Sequence, residues 1–266
     1  MRELRLAELC GLVTERGAVR VEEASEALGV SRETIRRDLA VLAKRGLVRR
    51  THGGAAVSGR VLTERSASER ELENGPAKEA IAALAAAELI EDGMAVMLDD
   101  GTTTAALARH LAGRELTVVT SSLAIADVLL PTSTELVLLG GHVRRRSGTM
   151  VGPLAEAMCA LVHCDVAFIS GPAVSARSGL MDSYAEGVRI KGAMLAHTDL
   201  SYIVADSSKV GRTAFLKVCD LTEVTGLVTD TGIAAEDLDD LRSVGAAVLV
   251  APSLDELDQE GIDHVG

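Results

Sequence analysis

A chain of 266 residues, 47% hydrophobic and 25% charged, has the composition of an ordinary soluble globular protein and the length for one or two domains. Aromatics at 2%, with no Trp, make the core aliphatic and exclude ligand pockets or single-strand nucleic-acid platforms built on aromatic stacking. The net charge of −12 is uneven: residues 1–60 hold 12 Lys/Arg against 8 Asp/Glu and the remainder 15 against 31, so only the basic head is suited to a polyanion.

The first residues, Met1-Arg2-Glu3-Leu4-Arg5, are charged and run into an amphipathic pattern, not an apolar signal core. Apolar stretches such as Ala80–Ala87 fall far short of the roughly 20 residues a membrane helix needs, so no membrane partner and a cytoplasmic address are expected. The four cysteines (Cys10, Cys159, Cys164, Cys219) form no Cys-x-x-Cys pair and read as reduced thiols. Cys159, His163 and Cys164 are the nearest approach to a metal cluster but lack a further ligand, so neither metal nor cofactor is expected.

Leu6, Leu9, Leu12 and Val13 recur at helical spacing, and Gly17 is a stop signal. A second short helix is predicted from about Val21 to Leu28, with Gly29 as the turn. Ser31 then caps a third helix, its hydroxyl accepting from an exposed amide, and Glu33 suits the positive helix end. Ile35, Leu39 and Leu42 fall at i, i+4 and i+7 and face inward, leaving Thr34, Arg36 and Arg37 outward. Helix, helix, turn and basic helix make a helix-turn-helix, whose second helix reads the major groove near its N-terminus. After Gly46, Leu47–Arg50 and Ala55–Val57 read as strands around the turn Thr51-His52-Gly53-Gly54, a wing that brings Arg49, Arg50 and His52 beside phosphates. An exposed basic helix on its own is usually a solvated face, but seven Lys/Arg against two acids in residues 31–50 favour DNA contact. Ser31, Arg32, Thr34, Arg36, Arg37, Arg49, Arg50 and His52 are the candidate DNA-binding residues.

Residues 58–75 are polar and read as a hinge or solvated connecting helix, separating a DNA-binding domain at 1–57 from a larger domain at 76–266. Pro76 opens a helix that runs toward Gly93. Seven short apolar runs follow (94–98, 116–119, 136–139, 166–169, 202–205, 227–229 and 246–250), with helical stretches between several of them. The fold class is therefore α/β, with a mostly parallel, doubly covered sheet that binds ligands beyond its strand ends. There the chain places Asp99, Gly101, Thr102, Thr103 and Thr104 before a helix, Thr120 with Ser121 and Ser122, Gly140 and Gly141, Ser170, and Asp206 with Lys209. A strand, a glycine, hydroxyls and a helix end suit a phosphate, although threonines there also serve as plain helix caps. Asp99 and Asp206 are candidates for sugar hydroxyls, and Lys78 and Lys209 for the phosphate. The triplet Arg144–Arg146 fits a solvated loop as well.

Ser31-Arg32-Glu33-Thr34-Ile35-Arg36-Arg37-Asp38-Leu39, followed by Arg50-Thr51-His52-Gly53-Gly54-Ala55, resembles the signature of DeoR-type repressors. The larger domain resembles the family's sensor, similar in fold to ribose-5-phosphate isomerase. Its matching pieces are Lys78, Asp99-x-Gly101-Thr102-Thr103, Gly140-Gly141, Asp165, Gly179-Leu180, Lys191, Asp206-x-Ser208-Lys209 and Thr229-Asp230. The resemblance implies a homo-oligomeric repressor of a sugar operon, released from double-stranded operator DNA by a phosphorylated sugar. Thr120-Ser121-Ser122 stands where the family often has Thr-Asn-Ser, and Ser170-Gly171-Pro172-Ala173 where it is commonly Gly-rich. Two rivals follow from the same residues: an enzyme using Asp99, Asp206 and Lys209, and a constitutive repressor whose large domain only oligomerises. No linear nucleophile motif supports the enzyme.

Overall fold

A computed structural model describes residues 5–6, 8–9, 12–13, 18–44, 48–51, 53–57, 60–61 and 67–253, grouped in two compact units, residues 1–62 and 63–266. His52, and the side chain of Arg49, lie outside the described residues, as do Cys10, Gly17, Gly46 and Leu47.

In the first unit, helical residues at 5–6, 8–9 and 12–13 precede strand β1 (Ala18–Arg20), helix α1 (Val21–Leu28), helix α2 (Arg32–Lys44) and strands β2 (Val48–Thr51) and β3 (Gly54–Val57). Leu6, Leu9, Val13, Ala24, Ile35, Leu39 and Leu42 bury their side chains together, as the helical spacing requires. The wing is a three-stranded antiparallel sheet in the order β1-β3-β2, with Val19 opposite Ala55 and Arg50 opposite Ala55 on the other edge. Strand β1 has no counterpart in the sequence reading. Three residues are too few to show an alternation, and their pairing partner lies far along the chain.

The second unit opens with a short helix, α3 (Ala67–Glu71), inside the segment read as a connector, and then α4 (Gly75–Glu88). Seven parallel strands follow: β4 (Ala95–Leu98), β5 (Thr117–Thr120), β6 (Glu135–Leu138), β9 (Cys164–Ile169), β12 (Thr198–Val204), β14 (Gly226–Asp230) and β15 (Val248–Ala251). Each corresponds to one of the seven apolar runs, displaced by a residue or two and, for β12, begun earlier. Their spatial order is β15-β14-β12-β9-β4-β5-β6. Helices α5 (Thr102–Leu111), α6 (Leu123–Leu129), α7 (Pro153–Cys159), α8 (Ala185–Ala196) and α9 (Ala235–Ser243) connect them. Side chains alternate across the sheet: Val96, Leu98, Val166 and Phe168 enter one core, Met97, Ala167 and Ile169 the other. Both faces are thus covered, which is why the parallel strands read as continuous apolar runs.

The strand order reverses between β4 and β9, and it is beyond the carboxyl ends at such a reversal that sheets of this kind bind ligands. Two antiparallel additions crowd that end: a hairpin, β7 (His142–Arg144) with β8 (Thr149–Val151), and a small sheet in the order β10 (Ala173–Ser175), β11 (Gly179–Asp182), β13 (Leu216–Cys219).

Candidate functional site

The basic face of the first unit is built by α2. Its N-cap is Ser31, whose Oγ accepts from the Thr34 amide (3.2 Å) and pairs with the Thr34 hydroxyl (2.8 Å). With Ile35, Leu39 and Leu42 buried, the helical period turns Arg32, Arg36 and Arg37 to solvent. Glu33 braces both of the latter, 3.9 Å from Arg36 and 3.3 Å from Arg37, while Arg32 lies 3.6 Å from Glu22. These pairs are exposed, screened and individually weak, so they exchange readily for other anions. From the wing, Arg50 reaches back and donates to the Arg36 carbonyl (3.0 Å), and Glu33, Arg36, Arg37, Ala40, Ala43 and Arg50 line one open groove. Asp38 plays a structural part instead, since it is buried and takes a 2.6 Å bond from Arg5 that ties α2 to the first helical residues.

In the second unit, Asp99 follows β4 at the reversal point and is almost fully saturated. Its carboxylate accepts from the Gly101 amide (2.9 Å), the Thr104 hydroxyl (2.9 Å), the Ser170 amide (2.7 Å) and the Ser170 hydroxyl (3.0 Å). Asp99 therefore clamps the ends of β4 and β9 together, and its own carboxylate lies over donors read from the sequence as free for a phosphate. Glycine at 101 is dictated by that clamp, because a Cβ there would stand 2.1 Å from Ser170 Oγ. Thr104 Oγ1 also bonds Asp99, and Thr120 Oγ1 donates to the Leu98 carbonyl (2.8 Å) and receives the Ser122 amide (3.1 Å), which are local, structural bonds. Thr103 is buried and Thr102 half-buried. Gly141 packs where a side chain has no room, since a Cβ would stand 2.9 Å from the Val151 carbonyl, and at Gly140 a Cβ would press on Met158 Sδ at 3.3 Å.

Beside Asp99 stands a charged cluster of which only Asp99 was a sequence candidate. Lys191 of α8 donates to Asp182 (2.6 Å) and lies 3.6 Å from both Asp99 and Asp100. Asp100 accepts from the hydroxyls of Thr149 and Tyr184, each at 2.9 Å, and Arg144 stacks 4.0 Å over the Tyr184 ring. Gly187 lets that ring lie on α8, since a Cβ would meet it at 2.5 Å. Burial alone would raise the Asp100 carboxyl, but Lys191, Arg70, Thr149 and Tyr184 hold it below the usual carboxylate range. Burial opposes a charge on Lys191, yet Asp182, Asp100 and Asp99 raise its pKa well above the ordinary lysine value. A signal for Lys191 exists in the sequence: Gly187, Ile190, Lys191 and Met194 form the buried stripe of α8, and a lysine there needs an anion.

The remaining candidates converge nearby. Asp206 caps the turn Ser207–Lys209, accepting from the Ser208 amide (3.1 Å) and from Asn74 (2.9 Å). Lys78, buried in α4, donates to the Arg70 carbonyl. Its pKa is lowered first by burial and then by Lys209 and Arg70, against Asp206 and Glu73. Three cations, Lys78, Lys209 and Arg70, thus share this end of the sheet. So do the buried polar side-chain atoms that have no hydrogen-bond partner among the described residues: Arg70 Nε, Ser121 Oγ, Ser147 Oγ, Ser183 Oγ and Thr229 Oγ1. All belong to segments around the strands' carboxyl ends, where a polar ligand would satisfy them.

Among the described residues no group of His, Cys, Asp and Glu has the arrangement to hold a metal ion. Cys159 and Cys164 are buried, with burial raising both thiols to about 11, while His163 turns out to Asp199 (2.8 Å), which dissolves the Cys-His-Cys grouping. No helix among the described residues is long and apolar enough to cross a membrane.

Residues 5–60 match the DeoR-like helix-turn-helix domain and residues 73–231 the DeoR C terminal sensor domain. The chain is 36% identical over 250 residues to the HTH-type transcriptional regulator GlpR of Haloferax volcanii, covering 93% of this chain and 96% of that protein. It is 33% identical to the lactose phosphotransferase system repressor of Streptococcus mutans, covering 86% and 92%. Among solved structures it is similar to ribose 5-phosphate isomerase A from Methanocaldococcus jannaschii (18% identity, 50% and 52% of the chains, TM-score 0.37). It is likewise similar to translation initiation factor eIF-2B from Pyrococcus horikoshii (13% identity, 84% and 81%, TM-score 0.41). A likeness of that degree says nothing about activity.

Proposed function

The chain belongs to the DeoR family of transcriptional regulators, and from that premise we propose that it represses a carbohydrate operon and releases its operator when a phosphorylated sugar fills the sensor basin. The observation that carries the sensing half is the gathering of Lys78, Lys209 and Arg70 with the partnerless buried polar atoms of the described residues at the sheet's carboxyl end. Cations hold the phosphate, while Asp206, Asp100 and the free hydroxyls suit sugar hydroxyls. Asp99, Gly101, Thr104 and Thr120 are assigned to the frame of the basin through their own bonds; Thr102 and Thr103, at the start of α5, are assigned to the ligand, and Gly140 and Gly141 to the wall. A relative named for the lactose phosphotransferase system supports the carbohydrate reading.

The DNA half rests on Ser31, Arg32, Thr34, Arg36 and Arg37 at the exposed start of α2, with Arg50 from the wing. Arg49 and His52 are assigned to the phosphate backbone on the sequence motif. A single winged helix makes few base contacts, so at least a dimer on repeated half-sites is required, in the compartment that holds the operator, the cytoplasm. Catalysis is disfavoured because an Asp99 base would have to shed four donors first.

A thermal-shift screen of sugar phosphates and their unphosphorylated parents, paired with anisotropy on duplexes selected from random DNA, tests both halves. A phosphorylated hit that raises the melting temperature and weakens operator binding is the expected result. Selective DNA binding untouched by every compound overturns the sensing half, and turnover of any compound makes the protein an enzyme.

A further inference from the structure

Helix α3 begins the second unit, a few residues beyond the boundary with the DNA-binding unit, and it is an odd element. It has five residues and none of them is buried; Leu72, just after it, is 90% exposed. A helix this short is unstable by itself, and with the half-buried Ala67 as its one apolar side chain it gains little from the hydrophobic effect. Polar contacts place it. The Ala67 amide donates to the Arg146 carbonyl (3.3 Å), in the turn of the β7–β8 hairpin. The Arg70 carbonyl receives the ammonium of Lys78, itself a candidate phosphate ligand. The charge of the Arg70 guanidinium acts on both Asp100 and Lys78, and its Nε is buried without a hydrogen-bond partner.

An arginine with a buried unpaired donor, next to a second cation, is costly unless an anion joins them. We propose that Arg70 is the cation by which the sensor basin reports its occupancy: it binds the anionic group of the ligand together with Lys78, and in doing so fixes α3, the first described helix after the DNA-binding unit. The inference rests on the phosphorylated-ligand reading of the basin and adds a residue and a route to it. A ligand drawn to both cations satisfies Arg70 Nε and competes for the Lys78 ammonium, which now serves the Arg70 carbonyl. Its binding energy therefore differs between two placements of α3, which is what coupling requires. Sequence reasoning passed over Arg70 because it lies in a charged run, Glu69-Arg70-Glu71, that reads as solvated.

The test compares wild type, Arg70→Gln and Arg70→Lys in the full-length protein. Inorganic phosphate and a series of pentose and hexose phosphates serve as probes, read by calorimetry, operator release and amide exchange of residues 67–71. The expected result is that Arg70→Gln binds the best probe about tenfold or more weakly, no longer protects residues 67–71 and fails to release the operator. Arg70→Lys recovers part of both responses, and all three proteins bind the operator equally without probe. If Arg70→Gln binds and releases like wild type, Arg70 is not the reporter and the function proposed above stands. If it loses operator binding without any probe, its role is structural and the inference falls. If wild type itself takes up none of the compounds, the phosphorylated-ligand reading falls and this inference with it.

Discussion

The two units handle charge in opposite ways. On α2 the arginines are exposed and lightly braced by Glu33, at 3.3 and 3.9 Å, pairs that water and salt dissolve at little cost. In the sensor, Lys191 and three carboxylates are buried and locked at 2.6–3.6 Å, with a tyrosine and a threonine completing the network. Removing one member there strands the others in low dielectric. A surface that must slide over many DNA sequences keeps its charges exchangeable, whereas one that must recognise a small polar molecule fixes its charges before the ligand arrives.

The sharpest way to break this contrast is Lys191→Met. It leaves Asp99, Asp100 and Asp182 together and buried, and is expected to cost about 3–5 kcal/mol in chemical denaturation of the sensor unit at pH 8. The raised pKa of Lys191 means that its stabilisation is complete everywhere below the ordinary lysine range, so wild type gains nothing further from it on acidification. The variant's carboxylates have lost their cation, their folded pKa values rise, and the penalty is relieved as they protonate. The deficit should therefore shrink between pH 8 and pH 5. A constant deficit would assign Lys191 to packing alone.

Next in size is Arg37→Ala. It is expected to weaken operator binding by about 1–3 kcal/mol if the guanidinium meets a base edge, with the denaturation midpoint nearly unchanged. Equal loss on operator and competitor duplexes would make Arg37 a phosphate contact. Ser31→Ala comes third: losing the cap on the Thr34 amide should cost about 1 kcal/mol of stability in the DNA-binding unit, and no change would show that Thr34 or water substitutes for it.

How far the sequence reaches follows the same division. The recognition helix was legible because its cap, its inward Ile35-Leu39-Leu42 spacing and its outward arginines all lie within one short segment. The seven strands were legible because both faces of a parallel sheet are buried, which leaves unbroken apolar runs. The small sheet β10-β11-β13 was not, since its strands are broken by polar residues (Ser175, Asp182, Lys217) and leave no unbroken apolar run. The sensor cluster was half legible. Asp99, Asp206, Lys78 and Lys209 stood at strand and helix ends, where topology points. Lys191, inside α8, and Arg70, in a charged run, did not; Asp182 ends β11 and Tyr184 caps α8, but the partner that draws Tyr184 into the cluster, Asp100, lies 84 positions away. Gly140 and Gly141 stood at a strand end for another reason, the close approach of Met158 and Val151.

The smallest expected effect sharpens the comparison most, because Glu33 is the one acid among the described residues that line the groove of the recognition face. Its carboxylate is about 60% exposed and bonds Arg37 Nε, so Glu33→Gln should barely change stability. On DNA the same change removes a charge that phosphates repel and leaves Arg36 and Arg37 less neutralised. Affinity for a random competitor duplex should then rise by about two- to fivefold at low salt, with a salt slope steeper by about one unit. The operator should gain less. A carboxylate at the start of a recognition helix also accepts from the cytosine N4 amino group, and glutamine does that more weakly. A fall in specificity with a rise in overall affinity would place Glu33 among the base-reading residues. An equal rise on both duplexes would leave it as a brace for two arginines.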